Sequence, residues 1–158
     1  MSTVEPLQPQ DIDWGFFTCG DWRIDARLRR EAALVPDGLQ FLSGVRQGGR
    51  VVAALTLRAG QLQAPPEDVA QVAGRTGVRV PTLHIEVLAV DIRAQRQGYA
   101  TRLINSAVFT ADDQRRVMGL HTVSLEATAE SVPFYLQVGF QASPHVYPDG
   151  SRAMWLVL

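Results

Sequence analysis

Thr82-Leu-His-Ile-Glu-Val-Leu-Ala-Val-Asp91, then Ile92-Arg-Ala, then Gln95-Arg-Gln-Gly-Tyr-Ala100, is the stretch that decides how this chain is read. Its first ten residues alternate as a strand does, side chains leaving opposite faces in turn. The odd positions Leu83, Ile85, Val87 and Ala89 are all apolar. The even positions His84, Glu86, Leu88 and Val90 begin polar and end apolar. One fully apolar face and one half-polar face predict a central strand with one side partly in a cleft. Ile92–Thr101 reads as a polar loop holding one glycine. A long helix then carries Ala100, Leu103, Ile104, Ala107, Val108 and Ala111 at helical spacing to about Met118, with Gly119 as its stop.

Working outward, the flanks supply hairpins rather than repeating strand–helix units. Thr3–Leu7 reads as a short edge strand ended by Pro9 and Asp11. Asp21 to Leu34 reads as a helix capped by Asp21 and stopped by Pro36-Asp37-Gly38, with Ile24, Leu28 and Ala32 on one face and Arg23, Arg27 and Arg30 on another. Leu39–Arg46 and Arg50–Arg58 read as strands joined by a Gln47-Gly48-Gly49 turn. Pro65-Pro66-Glu67-Asp68 opens a short helix to Ala73, and Gly74–Pro81 is a connection. His121–Glu126 reads as a strand. Ser131–Val138 reads as a short helix that tolerates Pro133 in its first turn and ends at Gly139. Phe140–Ala142 and Arg152–Leu158 are the last strands, joined through Pro148-Asp149-Gly150. The expectation is an α/β (α+β) protein with a mixed, mainly antiparallel sheet, forming one domain over residues 1–158.

Composition narrows the function classes. Hydrophobic residues at 46% and charged residues at 20% are those of an ordinary globular chain, not a disordered or fibrous one. No apolar run is long enough to span a bilayer. Acids number 16 and bases 15, a net charge of -1, so no global field draws nucleic acid or an anionic membrane. All 15 bases are arginine. The single cysteine, Cys19, forms no intrachain disulfide, and Met1-Ser-Thr-Val-Glu-Pro has no basic start followed by an apolar stretch; together these point to the cytoplasm.

The chemical signal is the loop between strand and long helix. A helix start presents unpaired N–H groups and the positive end of its dipole, which suits a phosphate. Gly98 lets the backbone approach closely or take a positive φ, Ala100 lets the loop pack down, and Arg93 and Arg96 add charge. A nucleoside triphosphate loop would need Gly-Lys-Ser/Thr, and a dinucleotide loop Gly-x-Gly-x-x-Gly; neither is present. An ordinary polar turn at a helix start is the competing reading.

Leu88-Ala-Val-Asp91, Gln95-x-x-Gly98-x-Ala100 and Phe134-Tyr-Leu-Gln-Val-Gly139-Phe140 together resemble the GCN5-related N-acetyltransferases (GNAT). The likeness is close over residues 82–142 and holds in outline elsewhere. It implies a seven-stranded, mainly antiparallel mixed sheet, splayed at the strand Thr82–Asp91 and flanked by about four helices. It also implies acetyl-CoA in the splay, its pantetheine paired with the backbone of Leu88, Ala89 and Val90 and its pyrophosphate on the amides of Gln95, Arg96, Gln97, Gly98, Tyr99, Ala100 and Thr101. Many members carry a second glycine where this chain has Arg96; that position needs only its N–H. The oxyanion donor implied is the N–H near Leu88.

Acetyl transfer to an amine needs a base for the ammonium, a donor for the oxyanion and a partner for the leaving thiolate. Tyr135 is the candidate acid, a role the resemblance implies; the alternative is an aromatic that packs its helix on the sheet. His84 and Glu86 are candidate bases, sharing one strand face about 7 Å apart. His84 has a suitable ordinary pKa of about 6.5. The alternatives are a satisfied strand-end histidine and a glutamate paired with arginine, with solvent as the base. Cys19 is a weak nucleophile candidate, and His121 and His145 give no metal spacing with it, so no metal is expected.

The opening Phe17-x-Cys19-Gly20-x-x-x-Ile24-Asp25-x-x-Leu28-x-x-x-Ala32 resembles the acetyltransferase toxins of toxin–antitoxin pairs, as do Pro81-x-Leu83 and Leu88–Asp91. That resemblance implies an aminoacyl-tRNA acceptor and a ribbon-helix-helix antitoxin as partner. Homodimers are frequent in the wider family. A tRNA substrate needs a basic surface, for which Arg23, Arg27, Arg29, Arg30, Arg93, Arg96 and Arg102 are the candidates; a solvated helix face is the alternative. A small-molecule or protein amine is the second acceptor reading, and a non-catalytic acyl-CoA-binding module the third.

Overall fold

The computed structural model describes residues 3–158. Its strands are β1 (Glu5–Pro6), β2 (Phe41–Gln47), β3 (Arg50–Gln61), β4 (Pro81–Val90), β5 (Thr122–Ala127), β6 (Gln141–Ala142) and β7 (Arg152–Val157). Its helices are α1 (Trp22–Ala32), α2 (Pro66–Ala73), α3 (Tyr99–Gln114) and α4 (Val132–Gln137). The seven strands form one sheet in the order β1-β2-β3-β4-β5-β7-β6. It is mostly antiparallel with a parallel β4–β5 pair, the mixed sheet expected of the sequence. The chain divides into two compact units, Met1–Arg58 with Ile85–Ala107, and Ala59–His84 with Val108–Leu158.

In the first unit, α1 starts where Asp21 accepts the Arg23 N–H at 3.0 Å, the side-chain cap its sequence predicts. Its apolar stripe buries Leu28 and Ala32 with Leu7, Ile12, Phe17, Leu42, Val51, Ala54, Val87 and Ala89. The β2–β3 hairpin turns through Gly48 and Gly49, both at positive φ. A bulge shifts its register between Val45 and Arg46. At Gly44 a Cβ would clash with the Ala53 carbonyl oxygen and lie 2.6 Å from Leu7, so only glycine lets the neighbouring chain close around β2 there.

In the second unit, β5 pairs antiparallel with β7 and β6 with β7. Leu62, Val80, Ala153 and Trp155 form a small core against which α2 lays Val69 and Val72. α4 carries Pro133 in its first turn and ends where Gly139, at φ 104°, lets the chain reverse.

Several boundaries differ from the sequence reading. β1 covers only Glu5–Pro6, because Pro6 has no N–H to donate and Pro9 opens a 3-10 turn. β2 starts two residues later than Leu39, and β3 runs on to Gln61. α3 ends at Gln114 rather than near Met118, and Gly119 is not a left-handed stop. Its last fully buried residue is Ala111, whereas Val117 and Met118 are exposed. With no apolar face left to bury, residues 115–118 relax into single turns on the Asp113 and Gln114 carbonyls. No helix among the described residues is long and apolar enough to cross a membrane.

Candidate active site

The loop before α3 is built by what anchors its near end. Asp91 is buried at the close of β4, its N–H donating to the Val52 carbonyl at 2.7 Å. Its carboxylate accepts from the backbone and Nε of Arg93 at 2.9 and 2.8 Å, from Arg93 Nη2 at 2.9 Å and from the Thr18 N–H at 3.2 Å. Hydrogen bonds from the Arg93 guanidinium outweigh burial and hold this carboxyl below the usual carboxylate range. Arg93 is thus committed to Asp91, and its guanidinium also stacks on Phe16 and donates to the Phe16 carbonyl. The sequence reading has Arg93 add charge near a phosphate; the structure shows that it also braces Asp91.

A second brace comes from the segment before α1. The Ile92 N–H donates to the Thr18 carbonyl at 2.8 Å, and Gln95 Nε2 donates to the carbonyls of Cys19 and Val90 at 3.0 and 3.1 Å. Asp25 in turn accepts from the Thr18 hydroxyl at 2.7 Å and the Cys19 N–H at 2.9 Å. Burial pulls the Asp25 carboxyl up, but these donors outweigh it and hold it low. Gly20 sits at φ 91°, where a Cβ would meet Ile92 at 3.0 Å. The Phe17–Asp25 motif therefore locks residues 91–95. Burial and the neighbouring Asp25 push the Cys19 thiol to about 11, which makes it a poor nucleophile.

Beyond the braces the backbone is left open. Arg96 at φ 63° is the one non-glycine in the left-handed region among the described residues, and Gly98 follows at φ 83°. Among the described residues, none of the N–H groups from Gln95 to Thr101 donates to a protein acceptor. The first to do so is Arg102, onto the Gly98 carbonyl at 3.1 Å. N–H groups left without a protein acceptor at the positive end of a 16-residue helix are the donors that an anion would need. Gly98 has open space where a Cβ would sit, so its φ rather than crowding demands glycine.

Glu86 lies on β4 with 17% of its side chain exposed. Its Oε1 accepts from Arg27 Nη2 at 2.9 Å and its Oε2 from Arg58 Nε at 3.0 Å. His84 is buried, its Nδ1 3.0 Å from Ser124 Oγ. The Thr82 hydroxyl stands 2.7 Å from the same Ser124 oxygen and 3.1 Å from the Thr122 carbonyl. A chain of buried hydroxyls thus fixes the imidazole plane. On α4, Tyr135 is buried edge-on between Phe134 and Phe140, at ring distances of 5.1 and 5.8 Å. Burial pushes its phenol up to about 12. Its hydroxyl has no hydrogen-bond partner among the described residues, yet it is not sealed from solvent. The sequence reading missed Ser124, Phe16 and Arg50 altogether, and assigned Asp91 no role although it closes the quoted Leu-Ala-Val-Asp motif.

A family model described as an acetyltransferase (GNAT) domain matches residues 64–154. The chain belongs to the GNAT acetyltransferases. A search of curated proteins gives no match. Among solved structures, a bacterial toxin superposes with a TM-score of 0.84 at 19% identity, over 99% of this chain and 90% of that one. AtaT complexed with acetyl-methionyl-tRNAfMet gives 0.79 at 21% identity, over 99% and 95%. A tyrosine-to-phenylalanine mutant of AtaT bound to the C-terminus of the antitoxin AtaR and acetyl-CoA gives 0.77 at 20%, over 99% and 93%. At such identities the likeness shows that the GNAT fold extends over the whole chain.

Proposed function

We propose that this GNAT chain is an acetyl-CoA-dependent N-acetyltransferase of the cytoplasm whose acceptor is the amino group of an aminoacyl-tRNA. The observation that carries the cofactor half is the run of unpaired N–H groups from Gln95 to Thr101, which fits a pyrophosphate without any side-chain charge. The acceptor half rests on α1 and on the toxin likenesses. The α1 acids face inward: Asp25 holds Thr18 and Cys19, and Glu31 accepts from Gln40. Arg27 pairs with Glu86, but Arg23, Arg29 and Arg30 face outward, with Arg23 over the exposed Trp22 and Arg29 over Trp14. Guanidinium groups interleaved with aromatics suit phosphates and bases.

In this reading the acceptor ammonium loses a proton to His84, directly or through water. The amine lone pair then attacks the thioester carbon, the new N–C bond forms, the C–S bond breaks to release the thiolate, and the second proton of the nitrogen passes through water to that thiolate, leaving amide and free thiol. Ser124 and Thr82 position His84. Glu86 is the weaker base, because each carboxylate oxygen already carries a guanidinium. Leu88, Ala89 and Val90 supply the backbone for the pantetheine and the oxyanion. Tyr135 hydrogen-bonds to the departing thiolate. A phenol near 12 does not give its proton up outright to a thiolate of ordinary pKa about 8.5, so it stabilises by donation rather than by transfer.

The test is transfer from acetyl-CoA to aminoacyl-tRNA, followed by thiol release and by mass spectrometry of the amino acid. Transfer to the aminoacyl end is expected. Turnover of small or protein amines alone would overturn the acceptor assignment and leave the enzyme class standing. Coenzyme A binding with no turnover on any amine would leave an acyl-CoA-binding module. Co-purification of a ribbon-helix-helix protein encoded beside the gene would support a toxin role.

A further inference from the structure

One cavity of the first unit lies behind the brace of the loop, on the side of the β2–β3 turn. It encloses about 210 Å³, open to solvent, and is lined by Phe16, the Gln47-Gly48 turn, Arg50, Val52 and the Asp91–Ala94 segment. Its unusual feature is a doubly stacked ring. The Arg50 guanidinium carbon lies 3.7 Å from the Phe16 centroid and that of Arg93 lies 3.5 Å from it. Two guanidinium groups so close to one centroid cannot share a face, so Phe16 is sandwiched between them. The two arginines differ in what their edges do. Arg93 spends its Nε and Nη2 on Asp91 and on the Phe16 carbonyl. The Arg50 side chain has no carboxylate or hydrogen-bond partner among the described residues and rests on the Phe16 ring. Arg46, across the same hairpin, is neutralised by Glu5 at 2.8 Å and Asp11 at 3.2 Å.

From this arrangement we infer that the Phe16–Arg50–Arg93 cavity is a phosphate-binding subsite, separate from the amides of residues 95–101. Stacking on a ring fixes a guanidinium plane while leaving its N–H fork pointing outward, the geometry that receives two phosphate oxygens. The wall carries two cations and one carboxylate, and that carboxylate is already consumed by Arg93 and the Thr18 N–H. Two like charges across one ring repel, and an anion between their edges and the Gly48 turn relieves this. The volume holds a phosphate with several waters, each of about 30 Å³. The bulge at Val45 and Arg46 resets the hairpin register so that Arg50 faces Gln47 at the cavity mouth. The phosphate has two sources, the backbone of an RNA acceptor or the 3′-phosphate of coenzyme A.

The experiment follows the arginine Nε–Hε resonances of the full chain during titration with inorganic phosphate. The Arg50 signal is expected to shift and saturate at millimolar phosphate, with chloride at equal ionic strength giving no such saturation. R50Q is expected to abolish saturable phosphate binding there, R50K to weaken it, and F16L to weaken it by freeing the Arg50 side chain. Arg50 is exposed and touches the ring of Phe16, which Arg93 still holds, so R50Q should keep a melting temperature close to wild type. Two further arms separate the sources. An RNA mini-helix that binds R50Q five- to tenfold more weakly, with coenzyme A unaffected, assigns the subsite to RNA. Loss in R50Q of a preference for coenzyme A over dephospho-coenzyme A assigns it to the cofactor. An Arg50 signal that phosphate does not move, with both affinities unchanged in R50Q, overturns the subsite and leaves the proposed acetyl transfer untouched.

Discussion

Tyr135 shows how far one side chain can be argued from its surroundings. Its ring is fixed by Phe134 and Phe140, so Tyr135→Phe removes the hydroxyl and little else. In the proposed chemistry kcat should fall by roughly 100-fold while the coenzyme A affinity stays put. Steady-state kinetics with calorimetry check this, and an unchanged kcat would return Tyr135 to a packing role. The raised phenol adds a pH test. With its proton held until about 12, Tyr135 contributes no falling limb to the rate between pH 8 and 10. A limb in that window that disappears in Tyr135→Phe would contradict the assignment. Asp91 makes the parallel argument for stability. Its folded pKa is depressed, so its contribution is present above the unfolded value of about 3.9 and is lost as pH falls through the folded value. Asp91→Asn should therefore cost about 2 kcal/mol at pH 7 by urea denaturation. The gap from wild type should narrow once the pH drops well below 4.

The elements were legible in the sequence wherever their cause is local. The Asp21 cap, the Pro66 start of α2 and the alternation of β4 are each written within a few residues, and the structure has them in place. The end of α3 was not legible, because α3 stops where burial stops, a tertiary fact. The strand, the glycine turn and the helix start before α3 were legible because they adjoin in sequence, and their use as an anion cradle is the proposal made above. The braces of this loop were not, since Thr18 and Asp91 lie 73 positions apart. The same holds for His84 and Ser124, 40 positions apart, which meet only once the second unit has folded. At this scale Arg96 gives the sharpest test. A residue at φ 63° is strained unless it is glycine, and the proposed role uses its N–H alone. Arg96→Gly should bind coenzyme A within about threefold of wild type, since 1.4 kcal/mol is a factor of ten and relief of strain offsets the added chain entropy. Arg96→Val, β-branched and intolerant of that φ, should lose at least tenfold. Equal loss in both variants by calorimetry would mean that the guanidinium itself binds.

For the whole molecule, a net charge of -1 sets how an RNA acceptor can be held. A chain with no global positive field gains little long-range steering, so its affinity has to come from a local patch. On α1, Asp25 is spent inward on Thr18 and Cys19, and Glu31 on Gln40 and, at 3.7 Å, on Arg30, while Arg23, Arg29 and Arg30 stay exposed. Arg27 is partly withdrawn, being paired with Glu86. Three outward arginines displace about three counterions, so the logarithm of the tRNA affinity should fall with the logarithm of salt at a slope of roughly -3. Replacing Arg23 and Arg30 together by glutamine should flatten that slope by about 2 and raise the KM for aminoacyl-tRNA, leaving coenzyme A binding and the melting temperature unchanged. Filter binding across a salt series reads the slope, and steady-state kinetics read the KM. A slope near zero in the wild-type chain would mean that phosphates are not what it recognises, and the acceptor would then be sought among small or protein amines.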